Sequence, residues 1–322
     1  MNTPVAGLLE SSGTTRFFKG TDGEWKPAWT RRVVGAAPGT LYGWQLTKHN
    51  TGLGKYGING DRLPLYKGSP KPAAGTTITD KKIASRLDLS HGNITIERCL
   101  IQPTGGGGTP VVTSFDFNLV QPAPATVTIR DCTIDGSLLS QHDAAHSSGI
   151  QAIGTITGNL VTGLGSGIAV MGAGDMIDGL IEGNYVTDLA AWGNPATDGN
   201  HSDGFTVRDF TAAVVPGRSL VVQNNRFDCH SGNDTGACFI QTYSGRIDNV
   251  TIEGNLLEGG GYTMGLNLLN HPYGNIRSIN NRFTPLGIGA SYVQGGSGYA
   301  QWTDNYMNAP GQADNRGVAV GP

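Results

Sequence analysis

Acid and imidazole side chains crowd into three short stretches of the chain. LSQHDAAHSSGIQ at 139–151 carries His142, Asp143 and His146; TDLAAWGNPATDGNHSDGFTVRDF at 187–210 carries Asp198, His201 and Asp203; DCHSGNDTGAC at 228–238 carries Asp228, His230 and Asp234. Four of the seven histidines fall there, a bias that random placement would not give. Carboxylates in such a group suit glycosidic bond cleavage, in which one carboxyl protonates the leaving oxygen and another acts as base or nucleophile. Asp203 stands out as proton donor because it sits at the start of an apolar run, with Asp143 and Asp198 as its partners. His142, His146 and His201 can tune a carboxyl or hold a hydroxyl. Arg208, Trp192 and Tyr243 supply a charge and flat rings for a sugar face. The competing reading is structural. His-Ser-Ser-Gly at 146–149 and His-Ser-Asp-Gly at 201–204 are one motif used twice, as expected of residues that cap corner amides.

Metal and nucleotide chemistry read weakly. His142 and His146 are four apart, a zinc spacing on a helix only, and the reading carries no metal. A lyase would need carboxylates for Ca²⁺ beside a basic group, and no three-carboxylate cluster emerges, so calcium is unsupported. The Gly105–Gly108 run lacks the Lys-Ser/Thr of a phosphate loop. Cys99, Cys132, Cys229 and Cys238 form no CxxC pair; Cys229 and Cys238 are spaced for a loop disulfide or for two buried thiols. Three Asn-x-Thr triplets, at Asn93, Asn233 and Asn249, fit a glycosylation acceptor but read more simply as strand and turn residues.

Something must bring those stretches together. The segments NITIERCLIQ (93–102), TVTIRDCTIDG (126–136), IGTITGNLVTG (153–163), DGLIEGNYVTD (178–188), SLVVQNNRFDC (219–229), NVTIEGNLLEG (249–259), NIRSINNRFTP (275–285) and YAQWTDNYMNA (299–309) align on one column. That column reads Cys99, Cys132, Asn159, Asn184, Asn225, Asn255, Asn281, Asn305, at gaps of 33, 27, 25, 41, 30, 26 and 24 residues. Two residues later every segment is apolar: Ile101, Ile134, Val161, Val186, Phe227, Leu257, Phe283, Met307. Repeats of this length signal a solenoid. The alternation, β-branching and Gly/Asn/Asp borders are strand chemistry. One strand per coil, stacked about 4.8 Å apart, would bond the Asn side chains up the column. Lys81 in TTITDKKIAS (76–85) marks an earlier rung. A second column pairs Gly149-Ile150, Gly167-Ile168, Gly204-Phe205 and Gly265-Leu266, with Cys238-Phe239-Ile240 fitting less well.

The columns predict an all-β chain, a parallel β-helix solenoid of eight or nine coils over residues 75–310. Residues 1–74, with Trp25, Trp29 and Trp44, form an N-terminal cap or attachment segment, and 311–322 a C-terminal tail. An antiparallel sandwich would not keep the Asn column in register. The composition agrees: 50 glycines and 15% charged residues in 322, net charge −3, no long apolar run and no charged-apolar leader in residues 1–30. This argues against a nucleic-acid binder, a membrane span, a disulfide scaffold and a secretory signal peptide.

The repeat resembles the right-handed parallel β-helix of the pectate-lyase-like superfamily. GWQLTKHNTGLG (43–54) and GNITIERCLIQP (92–103) also look like β-helix proteins of actinobacteria and their phages. The resemblance implies a tailspike or minor-tail protein in a virion, or an extracellular one, that binds a host-envelope polysaccharide beside other tail proteins; such spikes often cleave what they bind, and trimers are common among them. A secreted polysaccharide hydrolase or lyase, and a structural virion solenoid without catalysis, are the alternatives. The paired aspartates, Gly-His-Gly and Arg-x-Lys of polygalacturonases are absent, which sets that family aside.

Overall fold

A computed structural model describes residues 17–19, 25–27, 40–118, 121–171, 178–208, 219–243 and 245–322. The chain divides into two compact units, Met1–Thr40 and Leu41–Pro322. The first contains an antiparallel hairpin of Phe17–Lys19 with Trp25–Pro27. Trp29 lies outside the described residues.

The second unit is a parallel β-helix of nine coils. Three sheets run its length. The first has nine strands, from Thr77–Thr79 to Gln301–Thr303; the second has nine parallel strands, from Lys82–Ile83 to Tyr306–Asn308, plus a terminal antiparallel one; the third has eight, from Leu87–Asp88 to Gly289–Gln294. The columns read from sequence are rows in space. Ile78, Ile96, Ile129, Ile156, Ile181, Val222, Ile252, Ser278 and Trp302 pair consecutively in the first sheet. Ile83, Ile101, Ile134, Val161, Val186, Phe227, Leu257, Phe283 and Met307 do so in the second. These rows form the core, each fully buried aliphatic adding about 1.5–3 kcal/mol.

Between these sheets the chain turns on two residues. The first adopts a left-handed conformation in every coil, filled by Asp80, Arg98, Asp131, Gly158, Gly183, Asn224, Gly254, Asn280 and Asp304. Gly, Asn and Asp tolerate that region. Arg98 is the exception, and two hydrogen bonds of 2.9 Å to the Asp80 carboxylate hold it. The second turn residue is the buried Asn. Asn184 shows the pattern: its Nδ2 donates to Asn225 Oδ1 (2.9 Å) and to the Ile156 carbonyl (2.8 Å), while its Oδ1 accepts from Asn159 N and Nδ2. The chain of bonds continues to Asn305. At the near end sulfur replaces oxygen, and the Cys99 amide meets Cys132 Sγ at 3.4 Å.

The third sheet corrects one phase. Gly149, Gly167 and Gly204 do share a column, because Ile150, Ile168 and Phe205 pair in sequence. Phe205 then pairs with Cys238 and Cys238 with Met264, so Ala237 and Thr263 stand in the Gly column, Cys238-Phe239-Ile240 is one residue out and Gly265-Leu266 two. At Gly167 an added Cβ would lie 2.3 Å from the Gly204 carbonyl oxygen and 2.5 Å from Val186 Cγ1, so close coil packing requires glycine there. All four cysteines are free and buried.

Residues 41–66 lie along the outside of the second sheet and cross it from the late coils to the first. Gly43 N bonds Gly254 O, Gly52 N bonds Gly158 O, Leu53 N bonds Thr133 Oγ1, and Leu65 bridges Lys82. Lys48 pairs with Asp188, and Lys55 and Tyr56 with Asp131. This strap lies over the outward row of the second sheet, in which Leu100, Leu160, Tyr185 and Leu256 are apolar yet buried, with Thr133 and Arg226 between them. At its start Trp44 stacks on Arg282, which also faces Tyr306 and bonds the carbonyls of Asn281, Asp304 and Asp314.

Candidate functional site

The three acid-rich stretches all lead into the third sheet. Ser148, Ser166 and Asp203 occupy one column, as the pairing Ser148 to Ser166 and the contact of Asp203 N with Ser166 Oγ (3.4 Å) show. The two His-Ser-x-Gly motifs therefore stand two coils apart at equivalent corners. Asp203 opens the strand Ser202–Val207, where a register irregularity brings it opposite Gly236.

That position shuts Asp203 Oδ1 away from solvent with no hydrogen-bond partner, although the residue as a whole keeps partial exposure. Burial pushes its carboxyl up to about 7, and the Arg208 guanidinium opposes the shift only partly. A carboxylate without donors in an apolar pocket keeps its proton. Burial, with the acid nearby, also raises the thiols of Cys229 and Cys238, so both stay protonated. Tyr292 lies within electrostatic reach of the acid and packs on Tyr262 (4.6 Å between rings) and Phe239 (6.4 Å).

A second group forms upstream. Ser140 caps the helix Gln141–Ala145 by accepting from Asp143 N (3.1 Å). One turn of helix stacks the His142 and His146 rings at 4.4 Å, and Trp192 from the next long loop meets them edge-on at 4.7 and 5.5 Å. His146 Nδ1 donates to the His142 carbonyl (2.9 Å), which fixes its ring. Asp143 and Asp198 sit beside this platform. Bonds from His142 and Ser140 hold Asp143 below the usual carboxylate range, and those from the Asn194 amide and Thr197 do the same for Asp198, which also feels His146.

The remaining predicted residues separate. Arg208 stacks on the exposed ring of Tyr243 at 5.2 Å, and Tyr243 N bonds Arg208 O. His201 is exposed, with Thr235 Oγ1 at 3.5 Å. His230 donates to Asp228 at 2.6 Å, and Asp234 closes its own turn through Ser231 and Gly232. Among the described residues no hydrogen bond joins Asp203 to Asp143 or Asp198, and no group of three or more His, Cys, Asp or Glu is placed to hold a metal ion.

Sequence reasoning passed over the residues that build the loops. Buried Asn200 accepts from Trp192 N (2.9 Å) and Asn233 Nδ2 (3.1 Å) and donates to Ser202 Oγ (3.1 Å), which ties the Trp192 loop to the Asp203 strand. Arg86 bonds Ser147 Oγ and the carbonyls of Gly106 and Thr109, which seats the glycine turn against the Asp143 helix. Lone polar residues in long loops carry no periodic signal; Asn200 adjoins His201 in the sequence, but Arg86 lies 61 positions from Ser147. No protein-family model, curated protein or solved structure matches the chain.

Proposed function

We propose that the chain is a β-helix protein of the phage-tail type that binds host-envelope polysaccharide on the flank where these loops enter the third sheet, and that Asp203 cleaves it by donating a proton to the glycosidic oxygen. The observation that carries this reading is the Asp203 carboxyl, whose Oδ1 is buried without a hydrogen-bond partner and whose titration burial pushes up to about 7. Asp143 and Asp198 are held ionised. Environments that push two sets of carboxyls in opposite directions divide acid from base. Trp192 and the two imidazoles offer a face for pyranose stacking, and Arg208 with Tyr243 a second. Hydrolysis then needs no group beyond water: the proton of Asp203 passes to the leaving oxygen, and an ionised carboxylate takes the proton of the attacking water.

The test is release of reducing ends from purified host cell-wall fractions. Asp203→Asn should abolish release while retaining sedimentation with the polysaccharide. Release at the wild-type rate by Asp203→Asn would remove the assignment.

A further inference from the structure

The two ends of the β-helix are finished differently. At the first coil, Leu65 bridges Lys82, Tyr66 N bonds Lys82 O, and Asp88 N bonds Pro70 O, so the leading edges of the second and third sheets are occupied. At the last coil, Arg316–Ala319 folds antiparallel onto Tyr306–Asn308 and covers the second sheet, and Val320 O accepts from Trp302 Nε1 beside the first. The third sheet ends on Gly289–Gln294, a strand of six residues paired on one side to Tyr262–Asn267. Among the described residues no strand pairs with its other side.

An open strand of this length is normally blunted by charge or proline. Here residues 283–303 contain no Asp, Glu, Lys, Arg or His, and the single proline, Pro285, precedes the strand. Large apolar side chains flank the edge in the open: Leu286 is 62% exposed, Ile288 76% and Val293 38%. Ser291 and Val293 continue the inward rows of Met264 and Leu266, and Ser291 Oγ is buried without a hydrogen-bond partner.

We propose that this edge is the interface with a second copy of the chain. An uncharged apolar edge offers nothing to a charged partner, which would lose hydration without compensation, whereas it matches itself. Antiparallel pairing of Gly289–Gln294 with its own copy, about a twofold axis normal to the sheet, sets inward side chains beside inward ones and joins the two cores tail to tail. This end already accepts antiparallel pairing on the neighbouring sheet. A twofold contact uses one patch twice and closes, so it ends the exposed edge instead of propagating it. This proposal is independent of the polysaccharide reading.

The experiment is light scattering coupled to size exclusion on the full chain across the micromolar range, with Ile288→Lys, Val293→Lys and a remote control, Leu138→Lys, whose side chain is also half exposed. The wild type and Leu138→Lys should run at twice the 33.6 kDa chain mass. Ile288→Lys and Val293→Lys should raise the dissociation constant at least roughly tenfold, with circular dichroism unchanged. A monomeric wild type, a dimer that survives Ile288→Lys, or equal dissociation by Leu138→Lys would each overturn the proposal.

Discussion

Asp203 sets acid strength against stability, and the size of the conflict follows from its surroundings. Its carboxyl titrates near 7 in the folded chain against an ordinary value of 3.8. The folded state therefore binds this proton more tightly than the unfolded state does. The favourable contribution is complete below about pH 4, falls as pH rises from about 4 to 7, and is gone above. Three pH units at about 1.4 kcal/mol each make the loss about 4 kcal/mol. Asn cannot ionise and removes this dependence. Urea unfolding of wild type and Asp203→Asn, at steps from pH 4.5 to 8, isolates it: the difference in stability between the two should shift in favour of the variant by a few kcal/mol over that range. The variant should be the more stable protein at pH 8 and the inactive one at every pH. Parallel pH profiles would refute the reasoning, because they would mean that the carboxyl ionises freely in the fold.

Asn225→Ala removes a rung in mid-ladder, leaving the Asn184 amide and the Ile181 carbonyl unpartnered in a dry core; a loss of about 2–5 kcal/mol is expected in denaturant unfolding. Gly167→Ala drives a methyl group against the next coil's backbone and should cost about 3 kcal/mol or more, read as a lowered thermal midpoint. Trp192→Ala strips the edge contact from both imidazoles while leaving the coils intact. Its polysaccharide affinity should fall about tenfold, as isothermal titration would show, with unfolding unchanged. Trp44→Ala unstacks Arg282 at the start of the strap, and trypsin should then cut at Lys48 and Lys55 several-fold faster.

The coils were legible because each repeats a chemical demand. A dry two-residue turn needs a left-handed residue followed by a side chain that bonds forward and back, and Gly-Asn, Asn-Asn or Asp-Asn supply it six times. The strap was not legible, since residues 41–66 obey no period and their partners lie far along the chain, 180 positions away for the Leu46 carbonyl with Arg226 and further still for Gly43 with Gly254. The third sheet was phased correctly up to Gly204 and lost from Cys238 on, because Ala237 and Thr263, not glycines, hold the Gly column there. The site divides likewise. Asp203 could be singled out from its place at a strand start, but its raised titration comes from burial, and burial follows only from coil stacking, which also sets it opposite Gly236.

The strap has a consequence for how the solenoid can change length. Stacked repeats ordinarily contact only their neighbours, so coils can be gained or lost one at a time. Here a single stretch of backbone is pinned at Gly254, Gly158, Thr133 and Lys82. An inserted coil would part those anchors by about 4.8 Å, and the strap would need one or two more residues to reach. The outer segment thus works as a ruler for the turns between Lys82 and Gly254.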